Sequence, residues 1–221
     1  MIAIIVPAHN EELALEGCIK SLLAAAAHQS LANEPVEILI ALDDCNDDSL
    51  LVAQRHNVLT HTCNNRNVGM TRAEGARLML QRGARWLAFT DADTLVPHSW
   101  LADQVRFGTD AVCGVVEVMD WSEHSDFVRE RYDAHYTPVD GHRHIHGANL
   151  GVSAAAYLKA GGFRALAAHE DVYLIEDLER SGATIMWTAA NRVTTSARKN
   201  CRCREGFGDY LKSLANPLSV G

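Results

Sequence analysis

The chain has 221 residues, 48% of them hydrophobic and 22% charged, which suits one globular domain, or two small ones, with a sizeable core. Its net charge of −8 disfavours nucleic acid and anionic membrane surfaces as partners. A phosphate-bearing ligand would need a cation, an arginine or backbone N–H groups placed locally.

The opening "MIAIIVPAHNEE" is an apolar run stopped by Pro7, the pattern of a buried parallel strand that runs into a loop. Apolar residues at Leu15, Cys18, Ile19, Leu22, Leu23 and Ala26 then recur at helical spacing, which predicts a helix within 11–27. "VEILIAL" (36–42) reads as a second buried strand. The polar loop "DDCNDDS" after it supplies Asp47 and Asp48 as caps for a helix through "LLVAQRH". "NVLTHT" predicts a third, shorter strand. "NVGMTRAEGARLMLQRGA" predicts a glycine turn and then a helix through Ala73, Ala76 and Leu80. "RWLAFT" is the fourth strand. This alternation predicts an α/β fold: a Rossmann-like, mostly parallel central sheet flanked by helices, built from right-handed βαβ units. In such sheets ligands sit at the carboxyl ends of the strands. Asp43, Asp44, Asp91, Asp93 and the "PAHNEE" loop all fall at those ends.

The second half is less regular. A strand is expected at 110–118 and a helix in "SEHSDFVRERYDAHY", with Phe127, Val128, Arg131, Tyr132 and His135 near one face. "HRHIHGANLGVS" reads as a strand or turn before the helix "AAAYLKAGG", which Gly161-Gly162 would end as a C-cap turn. A helix over 170–181 and a strand in "ATIMWT" follow. "TTSARKNCRCREGFGDYLKSL" reads as a basic, loop-rich tail closing in a short amphipathic helix. No repeat or low-complexity linker divides the chain.

An acidic "NEE" directly after the first apolar run, with no basic segment before it, argues against a signal peptide. No run approaches the ~18 apolar residues of a membrane span. The six cysteines, Cys18, Cys45, Cys63, Cys113, Cys201 and Cys203, lack framework spacing and read as reduced thiols of a cytoplasmic protein. Cys201 and Cys203 lie too close together for a typical zinc-finger pair, and no second pair complements them. His142, His144 and His146 would share one face if their segment were a strand. Three ligands pointing in parallel chelate poorly, so a metal site there is disfavoured.

The carboxylate pair of Asp91-Ala92-Asp93, at the end of an apolar strand, can hold a hard divalent cation, Mg²⁺ or Mn²⁺, and leave positions open for phosphate oxygens. Alone, such a tripeptide is better explained by Asp91 capping the following helix and Asp93 being solvated. Its context is more specific. "IIVPAHNEE", "LDDCNDDS", "NVG", "FTDADT", "HGANLGVSAAAYLKAGGF" and "HEDVYL" occur in this order. The set resembles the family 2 glycosyltransferases of GT-A fold over roughly residues 2 to 198.

The resemblance implies roles. Pro7, Ala8, Asn10 and Glu12 would lie near the base or ribose of a nucleotide-diphosphate sugar donor, and Asp43 or Asp44 would accept a base N–H. Asp93 would be a metal ligand, with Asp91 on the ribose or reaching the metal through water. His146, Gly147, Ala148 and Asn149 would line the sugar and acceptor pocket. Asp171, supported by Glu170, would be the general base of an inverting displacement. Arg72 and Arg198 are candidate diphosphate cations, and Arg202 and Arg204 belong either to a solvated tail or to a lid. Some GT-A relatives add a late histidine on the metal; this chain has none after His169.

The resemblance further implies one GT-A domain. Residues 1–95 would form its nucleotide-binding half, 96–200 its sugar and acceptor half, and 201–221 a basic tail. The low aromatic content of 6% offers no strong stacking platform and favours a small acceptor. The absent membrane segments disfavour a processive polysaccharide synthase. Two other readings remain open. A nucleotidyltransferase usually has a glycine-rich, basic loop where "PAHNEE" is acidic, and an inactive sugar-nucleotide-binding module would have little need of both "DAD" and "HED".

Overall fold

The structure is a computed structural model and describes residues 1–166, 168–199 and 206–215. Its centre is a seven-stranded sheet in the order β3-β2-β1-β4-β6-β5-β7. The strands are β1 (Ile2–Ala8), β2 (Val36–Asp43), β3 (Leu59–Cys63), β4 (Trp86–Phe89), β5 (Ala111–Val118), β6 (Leu150–Ser153) and β7 (Ile185–Thr195). β1 pairs in parallel with β2 and β4, β2 with β3, and β5 with β7; only β6 runs antiparallel, between β4 and β5. This is the mostly parallel, Rossmann-like sheet expected from the alternation of elements.

Both faces of the sheet are covered, which is why β1 reads as a continuous apolar run. Ile2, Ile4 and Val6 belong to one core with Leu15, Ile19 and Leu22 of helix α1 (Leu15–Ala26). Ala3 and Ile5 belong to the other, with Ala76 and Met79 of α3 (Val68–Gln81) and Leu174 and Leu178 of α7 (Glu170–Arg180). The remaining helices are α2 (Ser49–Arg55), α4 (Trp100–Arg106), α5 (Asp126–His135), α6 (Ala154–Ala160) and α8 (Phe207–Leu214). Gly161 closes α6 in the left-handed region, at φ 90°, as a C-cap glycine does.

Several local expectations are corrected. Helix α1 begins at Leu15, because residues 11–14 form a turn that ends with Ala14 N–H and Leu15 N–H on the Glu11 carbonyl. Gly69 is no turn residue. It sits in the first turn of α3, after Asn67, whose side chain caps the helix by accepting the Met70 N–H at 2.9 Å. Helix α5 starts at Asp126 rather than near 122, and α4 was not anticipated. β7 runs on to Thr195, past the expected end at Thr188. Its register against β5 jumps, with Cys113 opposite Trp187 but Val115 opposite Arg192, so "TAAN" forms a bulge that hid the strand's second half. Residues 142–146 are not a strand.

Candidate active site

A cavity of about 900 Å³ opens at the carboxyl ends of the strands. From the end of β1 and the turn after it come Pro7, Ala8, His9 and Glu11. Asn10 and Glu12, expected beside them, do not line it and instead border a smaller neighbouring pocket that shares Glu11 and Arg198 with it. The Asn10 side chain accepts the Asn46 N–H at 2.8 Å, and Glu12 accepts the Asp48 N–H at 2.9 Å. Asp47 returns the clasp, accepting the N–H groups of Glu12 and Ser49, both at 3.0 Å. Asp47 thus caps α2, whereas Asp48 makes no side-chain cap bond. The carboxylate that turns inward is Glu11, buried and bidentate with Arg198 at 2.5 and 2.6 Å.

β2 delivers two aspartates in different states. Asp43 is buried, and its carboxylate accepts the backbone N–H groups of Asn65, Arg66 and Asn67 at 2.7, 2.9 and 3.1 Å and the Thr71 hydroxyl at 2.9 Å. Four donors occupy the lone-pair directions of a carboxylate, so Asp43 shapes the loop that enters α3. Asp44, at φ 49°, bonds Arg66 Nε at 2.7 Å; both line the cavity.

Arg72 is the centre of the floor. It projects from α3, is 4% exposed, and joins Asp91 (2.5 Å) to Glu170. Burial alone would lower its guanidinium, but Asp91, Glu170 and Asp171 outweigh that and raise it. Burial pushes the Glu170 carboxyl up, opposed by Arg72 and reinforced by Asp171. Arg198, from the segment after β7, bonds Asp93 at 3.2 Å as well as Glu11. Burial lifts the Asp93 carboxyl to about 6; Arg198 opposes this and Asp91 and Glu11 add to it. The two aspartates of the "DAD" loop are thus each held by one arginine.

α7 begins at this floor and brings Glu170 and Asp171 into its first turn, where carboxylates favour the helix dipole. Asp171 accepts the Gly147 N–H at 2.8 Å through one oxygen and the Val172 N–H at 2.9 Å through the other. Gly147 lies directly on Arg72; a Cβ there would stand 2.5 Å from Nη1. His146, Gly147 and Ala148 line the cavity, and Asn149 does not. Asn149 is 1% exposed and ties the scaffold behind it, accepting from Trp100 Nε1 at 2.8 Å and donating to the carbonyls of Val115 and Asn191, both at 2.9 Å.

The far end of the cavity includes Val116, Ile145, His146, Phe207 and Tyr210. Phe207 and Tyr210 belong to a cluster of five aromatic residues. Tyr132 stands 5.0 Å from Tyr136, 5.2 Å from Trp121, 5.9 Å from Phe207 and 6.4 Å from Tyr210, centroid to centroid. The rings of His142, His144 and His146 stack side by side at 5.5 and 6.2 Å. Among the described residues no three His, Cys, Asp or Glu side chains form a metal cage. The carboxylates of the "DAD" loop, Asp91 and Asp93, both line the cavity. Two carboxylates with the remaining positions left to water and ligand oxygens suit a hard cation such as Mg²⁺ or Mn²⁺. Arg202 and Arg204 lie outside the described residues.

Sequence reasoning missed His9, Glu11, Arg66, Phe207 and Tyr210. Glu11 lies between Asn10 and Glu12, and strand parity does not extend into a turn. The aromatics are far from the motifs in sequence and reach the cavity only through the packing of α8 on α5.

The family description "Glycosyl transferase family 2" matches residues 3–167. A search of curated proteins gave no match. Solved structures with a similar fold include residues 1–349 of S. aureus TarS in complex with UDP-GlcNAc: 16% identity, 93% of this chain and 61% of that one covered, TM-score 0.69. The mannosyltransferase PcManGT from Pyrobaculum calidifontis, in complex with GDP-Man and Mn²⁺, has 16% identity, 96% and 60% coverage and a TM-score of 0.66. GalNAc-T7 with UDP, GalNAc and Mn²⁺ has 15% identity, 89% and 44% coverage and a TM-score of 0.65. The chain therefore spans about three fifths of the first two and less than half of the third. These likenesses concern the fold, which is that of the GT-A glycosyltransferases. By its sequence match over residues 3–167 and by its fold, the chain belongs to glycosyl transferase family 2.

Proposed function

We propose that the protein transfers a sugar, with inversion, from a nucleotide-diphosphate donor to a hydroxyl of a small acceptor. The observation that carries this reading is the Asp171 carboxylate at the α7 N-terminus, held by the Gly147 N–H at 2.8 Å on the wall of the cavity that the "DAD" loop also lines. The acceptor oxygen bonds to the anomeric carbon as the bond from that carbon to the diphosphate oxygen breaks. The hydroxyl proton passes to Asp171, and the nucleoside diphosphate departs with the bonding pair. Arg72 and Arg198 place positive charge near the departing diphosphate. A divalent cation held by Asp91 and Asp93 would supply further Lewis-acid stabilisation of that leaving group. TarS with UDP-GlcNAc and PcManGT with GDP-Man and Mn²⁺ support a nucleotide-sugar donor and a divalent metal.

On this reading residues 1–95 serve the nucleotide, 96–200 the sugar and acceptor, and 201–221 a basic tail. Asp44 with Arg66 is the free polar pair for the base, since Asp43 is saturated. No helix of the described residues is long and apolar enough to cross a membrane. The free thiols Cys18, Cys45, Cys63 and Cys113 are consistent with a cytoplasmic setting. The test is Asp171→Asn, which keeps an oxygen for the Gly147 N–H but accepts no proton. Turnover of the donor, as hydrolysis or transfer, should fall roughly 10²–10⁴-fold while nucleotide binding persists. Full activity in Asp171→Asn would sink the assignment of the base.

A further inference from the structure

The phenol of Tyr136, which ends α5, is buried beside the cavity wall. Its oxygen lies 3.0 Å from the Val116 nitrogen and 3.0 Å from His146 Nε2. A backbone N–H can only donate, so the phenol oxygen accepts from Val116. The phenol's own hydrogen then points to His146 Nε2, its one other hydrogen-bond neighbour among the described residues. That leaves the imidazole proton on Nδ1. The neighbouring rings are set in the same way. His142 Nδ1 accepts the His144 N–H at 3.1 Å, and His144 Nε2 faces the Thr137 carbonyl at 3.2 Å. The Tyr136 ring is clamped between Tyr132 and His144, at 5.0 and 4.3 Å, so the phenol cannot swing away without disturbing the stack.

His146 lines the cavity and directly precedes Gly147, whose N–H holds Asp171. We propose that His146 is a fixed hydrogen-bond donor to the acceptor substrate. Tyr136 is the positioning residue that keeps Nδ1–H turned to a lone pair of a neutral acceptor oxygen beside the attacking hydroxyl. The proposal rests on the glycosyl-transfer reading above. It gives the acceptor a class: a neutral polyol or pyranose with an oxygen adjacent to its nucleophile, lying towards the aromatic wall of Phe207 and Tyr210. The ring is held neutral in this place. Burial first, and the imidazoles of His144 and His142 second, hold His146 far below the ordinary histidine range, at about 3.

The experiment is ¹⁵N imidazole NMR on the full chain, with His146 assigned by loss of its signals in His146→Gln. In the wild type His146 should be the Nδ1–H tautomer at pH 7 and remain neutral at pH 5. In Tyr136→Phe it should become a tautomer mixture that protonates at higher pH, a change that a purely space-filling Tyr136 would not cause. Adding a panel of methyl pyranosides to the nucleotide-bound protein should shift the Nδ1–H resonance in the wild type, and less in Tyr136→Phe. A wild-type Nε2–H tautomer overturns the proposal without need of any variant. No response of Nδ1–H to any methyl pyranoside overturns the donor role. Thermal shifts with UDP, GDP, ADP, CMP and dTDP, with and without Mn²⁺, are read on the same samples. Silence there counts against glycosyl transfer itself and is separate from the tautomer result.

Discussion

Replacing Arg72 with methionine tests the arrangement of the cavity floor. Arg72 is 4% exposed and Glu170 is 4% exposed, so the variant leaves a carboxylate buried without its cation. Asp91 is less affected, since its side chain is 37% exposed and regains water. Removing one partner of a buried pair costs about 3–5 kcal/mol. In a domain of this size that lowers the melting temperature by roughly 6–20 °C, at 2–4 °C per kcal/mol. The loss should depend on pH. Burial already pushes the Glu170 carboxyl up, and Arg72 is the main influence holding it down. Without Arg72 the folded state binds a proton that the unfolded chain releases above the ordinary carboxylate range. Stability of the variant then falls as pH rises: the deficit against wild type is largest near pH 8 and shrinks towards pH 5. Adding Glu170→Gln should recover part of it, a coupling that a double-mutant cycle measures. Urea denaturation at pH 5 and pH 8 is the assay. A deficit below about 1 kcal/mol, the scale of an exposed ion pair, or one equal at both pH values, would refute the reasoning.

Asn149→Ala strands the Trp100 indole N–H and two buried carbonyls, and should cost about 3–9 kcal/mol at 1–3 kcal/mol per unpaired group with nucleotide affinity unchanged in the folded fraction; lost affinity at full stability would place Asn149 in the site after all. Gly69→Ala puts a methyl 2.8 Å from Glu170 Cβ and 3.0 Å from the Arg164 carbonyl. It should destabilise by about 1–3 kcal/mol, as overpacking does, and a neutral result in denaturant titration would mean that α3 and α7 are not so closely apposed. Chelation of divalent metal with EDTA should weaken nucleoside diphosphate binding in a calorimetric titration and leave binding of the matching nucleoside unchanged; equal diphosphate affinity with and without EDTA would remove the cation from Asp91 and Asp93.

Much of this molecule follows from sequence alone. The apolar runs of β1, β2 and β4 mark strands buried on both faces, the helical spacing of Leu15, Ile19 and Leu22 marks α1, and the ordered set of six motifs marks the family. These features are local or are carried by chain order. Strand ends also place Asp43, Asp44, Asp91 and Asp93 on one edge, because parallel strands share a direction. Only the tertiary structure decides what each side chain does there. It turns Glu11 inward and Glu12 outward, since a turn carries no fixed period. It ties Asp43, on the cavity wall, to three N–H groups of residues 65–67 and to the Thr71 hydroxyl, so that this carboxylate also shapes the loop that enters α3. It buries Arg72 between Asp91 and Glu170, separated from it by 19 and 98 positions along the chain. It also sets Tyr136 on His146 and folds α8 against α5 to bring Phe207 and Tyr210 to the cavity. The packing of distant segments determines these contacts, and spacing along one segment does not encode them.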